Sequence, residues 1–285
     1  MSRLYVVSTP IGNLADITYR AVAVLGEVDR ILAEDTRRTR ILLQHYGVST
    51  PLYSAHTHNE AARAVLLVEW LDAGEEVALV SDAGTPLLSD PGARIVQRVV
   101  EAGHTVVPVP GPSALLAALV GSGLDPEPFT FYGFTPRSGR ARAERLEEVA
   151  GSRHTVVLYE APGRLARLLA ELAERCGGER KVVVARELTK IHETFFRGTL
   201  AEASAYYERE PARGEVVVVV AGASDTGSAP ADTDEAVRAL ARSLLEAGER
   251  PSAVARELSR RTGIPRNRAY EIVHSLSEEG GGDRG

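Results

Sequence analysis

Three times in the first half of the chain, a short apolar run ends in a turn of small residues and prolines. Leu4-Tyr5-Val6-Val7 leads into Ser8-Thr9-Pro10-Ile11-Gly12-Asn13. Val77–Val80 leads into Ser81-Asp82-Ala83-Gly84-Thr85-Pro86-Leu87-Leu88-Ser89-Asp90-Pro91-Gly92. Val106-Val107 leads into Pro108-Val109-Pro110-Gly111-Pro112-Ser113-Ala114. A strand that stops in such residues leaves backbone donors and acceptors free at its carboxyl end, where ligands sit in open α/β sheets. Three such turns point to one shared pocket.

Around these turns, apolar runs alternate with amphipathic stretches, the pattern of βαβ units and a parallel sheet. Strands are expected at Leu4–Ser8, Arg30–Ala33, Val77–Ser81, Thr105–Pro108 and Phe129–Tyr132. Helices are expected at Thr18–Leu25, Arg37–Tyr46, Glu60–Ala73, Ala93–Ala102 and Ser113–Val120. A glycine- and proline-dense segment from Gly121 to Pro128 reads as a linker.

Beyond it, Thr155–Tyr159, Lys181–Ala185, Thr194–Gly198 and Glu215–Ala221 read as strands, with helices at Leu165–Arg175 and Leu200–Glu208. The last two strands look like neighbours, so a mixed sheet is expected. A polar linker, Ser224–Asp232, precedes three helical stretches at Asp234–Glu246, Ser252–Arg261 and Arg266–Ser277. Thr262-Gly263-Ile264-Pro265 has the chemistry of a helix-turn-helix joint, and the tail from Gly280 is expected to be disordered. The expected domains are 1–120, 121–224 and 232–278.

Composition excludes several classes. The single Cys176 leaves no intramolecular disulfide framework or cysteine-rich metal site and suits a reducing cytoplasm. No apolar run approaches the ~20 residues that span a bilayer, and Met1-Ser2-Arg3 runs straight into a strand without a visible signal peptide. A net charge of −6 argues against non-specific coating of nucleic acid, though not against local basic patches. Only Lys181 and Lys190 are lysines, so the basic chemistry is arginine chemistry. The only GxGxxG pattern, Gly280, Gly282 and Gly285, has no strand before it or helix after it, and no P-loop pattern exists. A nucleotide-like ligand must be held without either signature.

Five segments together define a resemblance: Pro10-Ile11-Gly12-Asn13-Leu14-Ala15-Asp16-Ile17-Thr18, Ala33-Glu34-Asp35-Thr36-Arg37, Ser81–Pro86, Pro110-Gly111-Pro112-Ser113 and Ala185-Arg186-Glu187-Leu188-Thr189-Lys190. In order and spacing the chain closely resembles the 16S ribosomal RNA cytidine 2′-O-ribose methyltransferases, a branch of the tetrapyrrole (class III) methylases. The resemblance covers about Leu4 to Ala221, and the terminal helices also look like that family's C-terminal domain. It implies an α/β, two-domain tetrapyrrole-methylase-like fold with a small helical C-terminal domain, and S-adenosyl-L-methionine as methyl donor. It further implies a cytoplasmic enzyme acting on a decoding-centre cytidine, position 1402 in the usual RNA numbering, of 16S rRNA within the small ribosomal subunit. Two copies are implied because the superfamily is commonly dimeric. No metal is required.

The resemblance assigns the donor to a cleft between the α/β domains, with Pro10, Gly12, Asp82, Ala83, Gly84, Thr85, Ser113, Ala114 and Tyr159 as contacts. Asp82 either balances the donor's positive charge or caps its own turn. Asp35, Glu34 and Lys190 are candidates for assisting deprotonation of the hydroxyl. Asp35 and Thr36 are equally natural helix caps, and Lys190 equally an ion-pair partner of Glu187. Arg37 and Arg186 are expected to face RNA.

Gly133 to Arg142 reads as a mobile basic loop in which Arg137, Arg140, Arg142 and neighbouring Arg145 grip phosphates. His56, His58 and Glu60 have alternate-residue spacing that suits substrate contact or local structure better than a metal, with Asn59 as a helix cap. Six arginines (Arg250, Arg256, Arg260, Arg261, Arg266 and Arg268) against Glu257 alone make the terminal helices an RNA-facing patch or a structural cap. The rival readings are a methylase of small macrocycles, which shares the donor loops but has no need of a basic tail, and a DNA-binding regulator, which leaves the first 220 residues without a purpose.

Overall fold

The computed structural model describes residues 2–56, 59–223, 234–246, 249–262, 264 and 266–279. His58, the linker from Ser224 to Asp232, Gly263 and Pro265 of the expected joint, the tail from Gly280, and the side chains of Arg260 and Arg266 lie outside the described residues. The chain divides into two compact units, Met1–Ala223 and Ser224–Gly285.

In the first unit, β1 (Arg3–Val7), β2 (Arg30–Ala33), β3 (Leu52–Ser54), β4 (Val77–Val80) and β5 (Thr105–Val109) form one sheet in the order β3-β2-β4-β1-β5. Every pairing is parallel, so all five carboxyl ends lie on one edge. Helices α1 (Tyr19–Glu27), α2 (Thr36–His45), α3 (Glu60–Asp72), α4 (Ala93–Glu101) and α5 (Ala114–Ser122) follow the strands.

The two-residue period of a strand sorts the core. Leu4, Leu32, Val77 and Leu79 pack on α3 and α4 through Leu67, Leu71, Ile95 and Val99. Val7, Ile31, Ala33, Ala78 and Val80 turn the other way, onto Ala21 and Leu25 of α1 and Leu43 of α2. Each fully buried aliphatic side chain contributes about 1.5–3 kcal/mol. The short β3 was not legible in the sequence, because Leu52-Tyr53-Ser54 is half-buried and pairs with β2 alone.

The second sheet, in the order β6-β7-β10-β8-β9, comprises β6 (Phe129–Phe134), β7 (Thr155–Glu160), β8 (Lys181–Arg186), β9 (Thr194–Thr199) and β10 (Val216–Val220). Only the β6–β7 pairing is parallel, so the sheet is mixed, but not through the expected neighbours. Strand β10 inserts between β7 and β8, whereas β9 pairs with β8. The five valines of β10 explain this: all are buried, so the strand needs cover on both faces. Val216, Val218 and Val220 join the core under α7 (Leu165–Cys176) and α8 (Leu200–Arg209). Val217 and Val219 face Leu115, Ala118 and Leu119 of α5, which thereby packs on the second sheet.

The expected basic loop is corrected. After β6 the chain enters α6 (Gly139–Gly151), whose Leu146 and Val149 are buried in the second core. In the second unit, α9 (Asp234–Glu246), α10 (Pro251–Thr262) and α11 (Arg266–Glu279) share a core of Val237, Ala241, Val254, Leu258, Ile272 and Val273. Among the described residues no helix is long and apolar enough to cross a membrane.

Candidate active site

The strand-end turns of the first sheet are tied directly to one another. Thr9 and Gly84 exchange both backbone hydrogen bonds at 2.9 Å, and the Thr9 hydroxyl donates to the Ser81 carbonyl at 3.2 Å. A Cβ on Gly111 would lie 3.0 Å from that of Ser8, so the third turn packs closely on the first and a side chain there would press on Ser8. The Thr85 hydroxyl donates to Pro112 O at 3.3 Å and meets Ser8 Oγ at 3.2 Å.

Above these turns lies a cavity of about 410 Å³, inside the range of small-molecule sites. Its first wall carries Ile11, Glu34, Arg38, Asp82, Ala83, Gly84, Thr85, Asp90, Ser113 and Ala114. Its second wall comes from the other sheet, with Phe134, Tyr159, Glu160, Leu188, Glu215, Val216 and Val217. Seven of the nine expected donor contacts therefore line one space. Pro10 and Gly12 do not; the side chain between them, Ile11, does. Gly12 serves another purpose, since a Cβ there would meet Lys190 Cγ at 2.5 Å.

The acidic wall is electrostatically divided. Asp82 Oδ1 accepts the Asp35 backbone N–H at 2.8 Å, and its other oxygen lies 3.7 Å from Arg38 Nε. Burial raises the Glu34 carboxyl above the usual range, helped by the charges of Asp82 and Asp90. Burial also pushes Asp90 up to about 6, with the neighbouring Asp82 charge adding and the Ser81 hydroxyl opposing. On the opposite wall, burial raises the Tyr159 phenol, whose oxygen accepts the Leu115 N–H at 3.2 Å. The Phe131 and Phe134 rings pack edge-on against it at 5.0 and 5.5 Å.

Comparison with known proteins identifies the family. Residues 3–204 match the model of the tetrapyrrole (corrin/porphyrin) methylases. Ribosomal RNA small subunit methyltransferase I of Synechocystis sp. is 46% identical over 98% of this chain and 100% of its own length. The Bacillus subtilis protein of that name is 46% identical over 79% of this chain and 77% of its own. The chain belongs to this family. Its fold is shared more widely. Diphthine synthase superposes with a TM-score of 0.62 at 15% identity, covering 78% of this chain and 90% of its own. Uroporphyrin-III C-methyltransferase from Thermus thermophilus, solved with S-adenosyl homocysteine, superposes at 0.57 with 20% identity, covering 77% and 97%.

Several expected residues of this methyltransferase-family chain are engaged elsewhere. Asp35 caps α2: its Oδ1 accepts the Arg37 N–H at 2.9 Å, and Arg37 Nη2 reaches its other oxygen at 2.7 Å. The Arg37 hydrogen bonds hold the Asp35 carboxyl down at about 2, which leaves it a weak base. Neither residue lines the cavity. Lys190 Nζ pairs with Glu187 Oε1 at 2.8 Å and Glu215 Oε2 at 3.2 Å. Burial works against its charge, but these two carboxylates overcome it and raise the ammonium's pKa.

Arg142 is the clearest correction. Its side chain is 3% exposed, and it bonds Pro136 O at 2.8 Å, Thr135 Oγ1 at 3.1 Å and Glu171 Oε2 at 2.6 Å. It also lies 3.7 Å from the fully buried Glu160, which Arg164 and Thr135 bind as well. The guanidinium is consumed by the wall of the cleft and has no face left for phosphate. Arg145 stacks on Tyr132 at 4.3 Å and pairs with Glu148 at 2.8 Å. Arg137 and Arg140 remain exposed, the latter paired with Glu144 at 2.6 Å. Arg186 sits at the end of β8, its Nε 3.3 Å from Thr194 Oγ1.

The Glu60 carboxylate is engaged by backbone instead: its Oε1 accepts the Gly92 and Arg94 N–H groups, both at 3.0 Å. Asn59 turns backwards to accept the His56 N–H at 2.8 Å and makes no side-chain cap bond to α3. Asp90 and the Val216–Val217 wall had no assigned site role in the sequence reading. For Asp90 the signal was present in Ser89-Asp90-Pro91, because a residue before proline is held extended and cannot retreat into a helix.

Proposed function

We propose that this chain transfers a methyl group from S-adenosyl-L-methionine to the ribose 2′-hydroxyl of a decoding-centre cytidine in 16S rRNA, within the small ribosomal subunit. The observation that carries the reading is family membership along essentially the whole chain, with 46% identity over 98% of it to an enzyme named for small-subunit ribosomal RNA. The cavity fits the donor in kind. A cationic sulfonium and ammonium suit a wall with Glu34, Asp82 and Asp90, and an adenine suits the apolar wall of Tyr159, Leu188, Val216 and Val217. Ala83, Gly84, Thr85, Ser113 and Ala114 would hold the donor, with Pro10 and Gly12 supporting the first turn from behind.

The donor supplies an activated methyl group. This chain supplies placement and charge. Two walls built on different sheets hold both reactants, and such positioning provides much of the acceleration of a displacement. Exposed Arg137 and Arg140, with Arg186, would meet RNA phosphates outside the cavity.

The test is transfer of radiolabelled methyl to protein-free 16S rRNA, assembled small subunits, porphyrinoid precursors and duplex DNA, followed by nucleoside analysis. A single 2′-O-methylcytidine in the decoding region supports the reading. Label on a base, or on a porphyrinoid alone, overturns it.

A further inference from the structure

The loop after β4 is more constrained than a strand-end turn requires. Leu87 and Ser89 take left-handed backbone angles, φ 73° and 71°, which non-glycine residues adopt only when their surroundings enforce it. The enforcement is visible. Thr85 is tied to the first and third turns through Ser8 and Pro112. The far end is gripped by buried Glu60, whose carboxylate binds the Gly92 and Arg94 N–H groups. Across the cleft, a Cβ on Gly133 of β6 would lie 2.7 Å from Ser89 Oγ, so this glycine makes room for the loop. Within the span so restrained, Leu88, Ser89 and Asp90 line the cavity, and Asp90 is the one ionisable side chain among them.

Apart from Glu34, which shares the cavity and is likewise raised by burial, the neighbouring acidic and basic groups are committed. Asp35 is bound by Arg37, Asp82 holds the Asp35 N–H, Glu160 holds Arg164 and Thr135, and Lys190 holds Glu187 and Glu215. Among the described residues no arginine or lysine acts on Asp90.

We infer that Asp90 is the catalytic base of the reaction, accepting the proton of the ribose hydroxyl as that oxygen attacks the methyl carbon. The inference rests on the ribose-methylation reading above. In the step, the oxygen–carbon bond forms as the carbon–sulfur bond breaks, and that electron pair stays on sulfur to give a neutral thioether. The O–H bond breaks, its proton moves to the Asp90 carboxylate, and water takes it up after product release.

The groups that act on or feel Asp90 are Ser81 and Asp82 beyond β4, Glu34 beyond β2 and Tyr159 of β7, while Arg38, Glu160 and Glu215 share the cavity with it. Burial and Asp82 lift its carboxyl to about 6, close to the working pH that suits a general base. It is ionised and competent above that value and protonated below it.

The experiment compares the wild type with Asp90→Asn, Asp90→Glu and Glu34→Gln. Single-turnover methyl transfer to small subunits is measured at saturating donor from about pH 5 to 8. Calorimetry with S-adenosyl-L-methionine and S-adenosyl homocysteine gives affinities independent of turnover. The wild-type rate should rise through about pH 6 and level off, as expected for the Asp90 carboxyl. Asp90→Asn should lose roughly 10²–10⁴-fold in rate, show no such inflection, and bind donor within about threefold of wild type. Asp90→Glu should be slower yet keep an inflection, which guards against a folding artefact.

A near-wild-type Asp90→Asn overturns the inference. So does an inflection that survives in Asp90→Asn and disappears in Glu34→Gln. Weakened donor binding with an unchanged saturated rate makes Asp90 a donor contact instead. A wild-type chain that binds donor but methylates no ribose overturns the underlying reading, and the inference with it.

Discussion

The stem of Lys190 lies directly over the α-carbon of Gly12, so close that a β-carbon on Gly12 would fall 2.5 Å from Cγ and 2.9 Å from Cε. The contact joins the turn after β1 to the loop after β8, and thus the two walls of the cleft. The same economy recurs at Gly214, where Glu187 occupies the place of a missing side chain. The Gly12 turn, expected to touch the donor, is therefore, with Gly214, also what lets the ion-paired Glu187–Lys190 loop seat itself.

Gly12→Ala should accordingly behave as an overpacking variant, displacing Lys190 and costing about 1–3 kcal/mol of stability. Lys190→Met keeps the stem while removing the charge, so it should disturb donor affinity less than Gly12→Ala does. Denaturant midpoints and donor calorimetry on both variants check this. A Gly12→Ala protein of unchanged stability and affinity would show that the stem moves aside freely.

Asp35→Ala should lower the melting temperature and leave the saturated rate of methyl transfer within about threefold, because its carboxylate caps α2 outside the cavity. Its pH dependence has a definite sign. The folded pKa, about 2, lies below the unfolded value, near ~3.9. The stabilisation is complete above the unfolded value and lost as pH falls through the folded one. Melting curves of wild type and Asp35→Ala should thus converge between about pH 4 and 2. A rate loss of several orders of magnitude would return Asp35 to the chemistry.

For Asp82, removal has two consequences: the Asp35 N–H loses its acceptor, and the cavity loses a carboxylate. Asp82→Ala should weaken binding of S-adenosyl-L-methionine about tenfold or more, the equivalent of one charge-assisted hydrogen bond. Binding of the uncharged-sulfur product should fall less if the carboxylate faces the sulfonium. Calorimetry with both ligands measures the difference, and equal affinities in a folded variant would take Asp82 out of the site.

Much of the cleft was legible in the sequence because it is local. A strand that ends in Ser81-Asp82-Ala83-Gly84-Thr85 declares its turn, and in an all-parallel sheet such turns must share an edge. The second wall was harder. Val216 and Val217 read only as core, and they reach the cavity because β10 inserts between β7 and β8, a pairing made over long sequence distance. The segment from Gly139 was misread for a related reason. Its arginines look like a solvated basic run until Leu146 and Val149, one turn apart, meet the second core.

That misreading sets the final prediction, since Arg142 and its neighbours Arg137 and Arg140 should fail in opposite ways. Arg142→Met removes the guanidinium from between Glu160 and Glu171, leaving the buried Glu160 with Arg164 and Thr135 alone. Breaking such a pair costs about 3–5 kcal/mol, so the variant should unfold at markedly lower denaturant. The double variant Arg137→Ala/Arg140→Ala touches only exposed side chains and should keep wild-type stability within about 0.5 kcal/mol. If both arginines meet phosphates of single-stranded RNA, the dependence of log affinity on log salt should flatten by about 1.4. Equal stability of Arg142→Met and wild type would break the buried network as described here. An unchanged salt slope in the double variant would place the RNA on another surface.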